Sequence, residues 1–157
     1  MSRKLLFIPV VIASTFACGS PPAQDNAAAG GAQPSVEAPG SYRLIATIPV
    51  GGEGGWDYLS EDTVTHRLYV SHATRVVVID MQSNTVVGEV DSLPGVHGFA
   101  VAHDLNRGFA SDGRENKVAI VDLTTLQILS RVDTGDNPDG IIYLPDRKEV
   151  WTFNGRG

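Results

Sequence analysis

The sequence predicts an all-β fold, and three observations predict it. Residues 42–157 align on themselves at an interval of 42 residues, which sets Asp80 over Asp122. In the same register Phe109, Asp112, Gly113 and Arg114 stand over Trp151, Asn154, Gly155 and Arg156. Each unit breaks into short runs rich in Val, Ile, Leu and Tyr, separated by Asp, Asn, Gly, Ser and Thr, which is the pattern of strands and tight turns. No window carries an amphipathic helix of useful length. Four antiparallel strands in about 42 residues, repeated, make one blade of a β-propeller at each pass.

The chain does not begin with the repeat. Arg3 and Lys4 precede "LLFIPVVIASTFA", thirteen mostly apolar residues that end at Ala17. A positive start, a short apolar core and a small terminal residue make residues 1–17 a secretory signal. As a helix that run would cover about 20 Å against a hydrocarbon core of about 30 Å, and Pro9 weakens it further, so it is too short for a membrane span. Cys18 follows at once and is the only cysteine, which removes any intrachain disulfide. "TFACGS" resembles a bacterial lipoprotein processing site, in which the cysteine is lipidated and becomes the new amino terminus. Ala17 and Gly19 suit that pattern; Thr15 and Phe16 depart from it. Plain cleavage after Ala17, leaving a terminal thiol, is the alternative. The resemblance implies an exported protein, periplasmic or at the cell surface, that meets the membrane only through a lipid on Cys18.

Residues 18–41 are mostly Gly, Ala, Pro, Gln and Ser with almost nothing to bury, and such a stretch cannot recover its ordering entropy. They read as a disordered tether. The net charge is −6, and −8 once Arg3 and Lys4 leave with the signal. No basic patch remains to neutralise phosphates, which excludes nucleic acid as a partner.

From Tyr42 the strands follow in order. "YRLIATIPV" aligns with the last strand of later units and reads as an outer strand. Residues 67–71, 75–80 and 85–90 form the first unit's later strands, and 98–102, 107–111, 117–122 and 126–132 form the second unit. The third unit runs to the second of its strands. Length differences between units fall in turns, where they cost little. The WD-repeat signature is absent: Trp56-Asp57 lies ahead of a first strand, where that signature does not put it.

The units resemble the YVTN-type, YncE-like bacterial propellers. "LYVSH", "VVVID", "SNTVVGEV" and "PGVHG" match that consensus in the first unit, and "GFASDG", "VAIVD", "LQILSRV" and "TGDNPDG" match it in the second. The resemblance describes a blade and implies no activity. Propellers close at four to eight blades, seven among them, and residues 42–157 supply about two and a half. The expectation is therefore a front fragment of a longer ring, whose opening strand would latch the last blade. A fragment of that kind leaves open sheet edges, which invite aggregation.

In a propeller, the loops that lead into the innermost strands surround one mouth of the central funnel. They offer Trp56 and Asp57 in the first unit, His97 in the second, and Asn137 and Asp139 in the third. His with carboxylates suits a first-row metal, and Asp with Asn suits calcium. Turn chemistry alone also places Asp and Asn at such positions. The metal, and any cofactor, stay unassigned. A second set, His72, Asp112 and Asn154, ends the second strand of each unit and reads as a structural bond back to the loop. Asp80 and Asp122 read as turn formers. Gly51, Gly52, Gly54 and Gly55 lack the following helix and the Lys-Ser/Thr of a phosphate cradle. No triad can use the one cysteine.

The sequence therefore favours a non-enzymatic binding or scaffold protein with a small molecule or a protein at its funnel. The rival is a propeller enzyme holding a metal or redox cofactor there, similar to lactonases or quinoprotein dehydrogenases. Fold alone does not choose between them.

Overall fold

A computed structural model describes residues 42–156. The signal, the tether and Cys18 lie outside the described residues.

Ten strands form three antiparallel sheets. The first is β1 (Trp56–Asp62), β2 (Arg67–His72), β3 (Arg75–Asp80) and β4 (Thr85–Val90), in sequence order. The second is β5 (Val96–Ala102), β6 (Arg107–Asp112), β7 (Lys117–Asp122) and β8 (Ile128–Asp133), with a 3-10 turn at His103–Leu105 between β5 and β6. The third pairs β9 (Pro138–Leu144) with β10 (Glu149–Asn154). Strand β5 neighbours β1 on one side and β9 on the other, so the first strands of successive blades lie side by side. Two four-stranded blades and the inner half of a third give the expected propeller architecture.

Alternation along the strands builds the core, because successive residues face opposite sides of a sheet. Tyr69, Val76, Val78 and Val90 of the first blade meet Phe99, Ala110, Ala119 and Val121 of the second. Tyr69 and Phe99 stack with ring centroids 4.7 Å apart. Gly108 lies under the Phe99 ring, where any side chain would overlap it, and that close approach is why the second blade carries Gly between Arg107 and Phe109. On the opposite face Val70, Val77 and Ile79 form a second, smaller cluster.

In this chain the opening segment rests on that second cluster, without the last blade that the sequence expects it to complete. Residues 42–55 pair with no strand. Ile48 and Val50 pack their side chains against Val70, Val77 and Ile79, while the Gly51 carbonyl accepts from the Arg75 guanidinium at 3.1 Å and the Gly55 carbonyl from the Ala73 N–H at 2.9 Å. A strand needs an edge with free backbone groups to join. What this segment meets is a sheet face, whose ladder bonds run in the plane of the sheet.

The turns behave as the sequence predicts. Asp80 Oδ1 accepts the backbone N–H of Gln82 at 2.9 Å and of Ser83 at 2.7 Å, and Asp122 Oδ1 does the same for Thr124 and Thr125 at 2.9 Å each. These bonds hold both carboxyls below their ordinary range, led by the Ser83 N–H for Asp80 and the Thr125 N–H for Asp122. Strand β8 starts at Ile128, two residues later than expected, because Leu126 takes a positive φ of 59° in the turn.

Candidate functional site

The site begins with a backbone irregularity that recurs in every blade. Trp56 pairs with His72 but Leu59 pairs with Val70; Val96 pairs with Asp112 but Phe99 with Ala110; Pro138 pairs with Asn154 but Ile141 with Thr152. Each first strand thus holds one residue more than its partner over the same span, a β-bulge. The first residue after the leading pair is Asp57, His97 and Asp139 in turn. Trp56 and Asp57 are therefore inside β1, and His97 and Asp139 inside β5 and β9, at the bulged end of each strand rather than in the loop before it. The pairing also settles the alignment of the first unit: Asp57, His97 and Asp139 are equivalent.

Buried groups hold these bulges. Ser111, fully buried on β6, accepts the N–H of Gly98 at 2.9 Å and donates to the carbonyl of Asp139 at 2.6 Å, tying the bulge of the second blade to that of the third. Asp112 beside it accepts the N–H of Gly95 at 3.0 Å, the bond back to the loop that the sequence predicts for this position. Burial pushes the Asp112 carboxyl above its ordinary range, against the bonds it accepts from Glu115, Gly95 and Arg114. His72, equally buried, stacks on Trp56 with centroids 3.9 Å apart and planes 16° from parallel.

Four of the five predicted residues come together. Trp56, Asp57, His97 and Asn137, from three successive units, line one cleft of about 390 Å³. His97 Nδ1 lies 2.8 Å from Asp57 Oδ2, across the boundary between first and second blades. An Nδ1–H donated to that carboxylate turns Nε2 toward the cleft. Asn137 sits at φ 55°, in the left-handed region that Asn tolerates better than most residues. A Cβ on Gly113 would lie 2.6 Å from Asn137 Oδ1 and 2.7 Å from His97 Nε2, so Gly113 makes the room that both tips share. Trp56 keeps 57% of its surface exposed despite its stack on His72, which leaves ring area open at the cleft.

Asp139 is the exception. Its carbonyl serves Ser111, and its side chain is not among those lining the cleft. Two lining residues that sequence reasoning passed over are Arg114 and Arg156. The signal for them was present, since they occupy matching places in the repeat, but it was read only as evidence of repetition. His66 and His103 lie at the far ends of the first strands, away from this cleft. Among the described residues no three His, Cys, Asp or Glu side chains gather closely enough to hold a metal ion.

No protein-family description and no curated protein matches the chain by sequence. Solved structures match it by shape. Hydrazine synthase of Kuenenia stuttgartiensis superposes with a TM-score of 0.62 at 22% identity over 72% of this chain and 33% of its own. The β-propeller domain of Myceliophteria thermophila Cps50 (Swd1) gives 0.55 at 15% identity over 66% of this chain and 32% of its own. Apo AztD from Citrobacter koseri gives 0.51 at 18% identity over 66% of this chain and 28% of its own. The chain spans about a third of the length of these proteins. At such identities the likeness shows the fold, a β-propeller, and the YVTN-type assignment stays a resemblance in sequence.

Proposed function

We propose that this propeller acts by binding: it is exported, anchored by a lipid on Cys18, and presents the cleft at the bulged ends of its inner strands to a small molecule or a protein partner. One observation carries the reading. Trp56, Asp57, His97 and Asn137, far apart in sequence and drawn from three units, line a single cleft that is partly polar and partly aromatic. A cleft with a few convergent polar groups and an open aromatic ring is what ligand sites are built from. The Asp57–His97 pair has the orientation of an acid–base element. The export and anchoring parts rest on residues 1–18 of the sequence.

Two experiments test the two halves. For the anchor, cells expressing the full chain are fed labelled palmitate. The reading expects label in the natural chain and none in C18S, and an unlabelled natural chain refutes it. For the cleft, the full chain meets a panel of small probes while the NMR signals of His97 and Asn137 are followed. Saturable shifts at both residues support the reading. A panel whose every hit leaves them unmoved refutes it.

A further inference from the structure

Arg114 and Arg156 hold the same place in two successive units, each following the glycine after β6 or β10. Both line the cleft that holds Trp56, Asp57, His97 and Asn137, and both line a second cleft of about 340 Å³ that also shares Asn137. The other arginines of the blades all have acceptors. Arg75 pairs with Glu89, Arg107 with Asp122, Arg131 with Glu115 and Arg147 with Glu149, while Arg67 donates to the Leu123 carbonyl. Among the described residues from Trp56 onward, the guanidinium groups of Arg114 and Arg156 alone have none. The turn itself does not require them, because the shorter turn after β2 is Ala73-Thr74 and does without an arginine.

We propose that this cleft binds a small organic carboxylate, with Arg114 and Arg156 as its charge partners; the proposal rests on the reading that the cleft is a binding site. Two carboxylates stand in these clefts, and neither is paired with an arginine. Asp57 is engaged by His97, and Asp136, in the second cleft, takes a hydrogen bond from the Asn116 amide at 3.4 Å. Neither forms an ion pair with either arginine. The Arg114 stem is held in place against Gly95, where a Cβ would come within 2.6 Å of Arg114 Cγ and 2.8 Å of its backbone nitrogen.

The planar fork of an arginine matches a carboxylate in two parallel hydrogen bonds. The open ring of Trp56, in the same cleft, suits a flat or apolar body attached to that carboxylate. His97 Nε2 and Asn137 Oδ1, converging over Gly113, supply polar contacts between the two. An inorganic oxyanion would leave the aromatic part of the cleft unused. Two arginines without an ion-pair partner in one cleft also give an anion a local attraction in a chain of net charge −6.

The test uses the full chain and four probes of graded charge: benzoate, benzamide, benzylamine and inorganic phosphate, titrated against tryptophan fluorescence and the His97 and Asn137 NMR signals. Benzoate should saturate and bind on the order of tenfold or more tighter than benzamide or phosphate, as a charge-assisted pair requires. The double variant R114Q/R156Q should lose that margin, with its thermal unfolding unchanged because both side chains are exposed. Benzamide or benzylamine binding as tightly as benzoate, or benzoate binding untouched by the double variant, overturns the carboxylate assignment while the cleft remains a binding site. Phosphate binding as tightly as benzoate overturns the organic class. If no probe moves the cleft signals up to about 10 mM, an affinity below about 3 kcal/mol, the assignment and the binding reading fall together.

Discussion

Two serines at the same place in successive blades should respond in opposite ways to the same substitution. Ser71 and Ser111 each precede the last residue of a second strand, and both are fully buried. Ser111 accepts from Gly98 N–H at 2.9 Å and donates to the Asp139 carbonyl at 2.6 Å. Ser71 Oγ has no partner among the described residues. S111A removes two hydrogen bonds and strands a buried N–H. At about 1 kcal/mol for each bond, with an added penalty for the orphaned donor, the cost is about 2 to 3 kcal/mol. S71A removes a hydroxyl that is already unpaired, so the cost should be near zero or the chain should gain slightly. Urea unfolding of the full chain measures both. With a slope of about 1 to 1.5 kcal/mol/M for a domain of this size, S111A should lower the midpoint by roughly 1.3 to 3 M and S71A should leave it in place. Equal effects in the two variants would refute the argument that Ser111 ties one bulge to the next, as would a loss below about 0.5 kcal/mol for S111A.

Three further outcomes follow from the same geometry. A double-mutant cycle on D57A and H97A should give a coupling of about 0.5 kcal/mol that shrinks with added salt, since both side chains are about a third exposed. Because burial raises the Asp112 carboxyl, the folded chain holds its proton more tightly than the unfolded one. Stability from this group is full at acid pH and is lost as the pH rises through the ordinary carboxylate value to the raised one. D112N, which keeps an oxygen for the Gly95 N–H, should remove that loss and leave the chain at least as stable at pH 7; a fall of more than about 1 kcal/mol in urea unfolding would contradict it. Amides of residues 43–50 should exchange with deuterium as quickly as open loops while those of β2 and β3 stay protected; protection across the opening segment would restore it as a strand.

Much of this protein was written along the chain. A repeat at 42 residues, strands of period two and Asx turns at Asp80 and Asp122 are local features, and local features survive in the order of residues. They determined the all-β architecture, the two whole blades and the half blade, and the place of the candidate residues at one end of the inner strands. Tertiary structure decided the rest, because the rest depends on which surfaces meet. The bulge at Asp57, His97 and Asp139 is an offset between two strands and has no signature in either alone. Whether Ile48 and Val50 joined a ladder or covered a face turned on which part of the first blade they reached. Asp139 looked equivalent to His97 in the repeat, yet its carbonyl is spent on Ser111 and its side chain does not line the cleft. Arg114 and Arg156 are only a repeated letter in the sequence; in the fold, among the described residues, neither guanidinium makes a hydrogen bond or an ion pair. A charge becomes a candidate for function when its neighbours fail to neutralise it, and neighbours are a property of the folded chain.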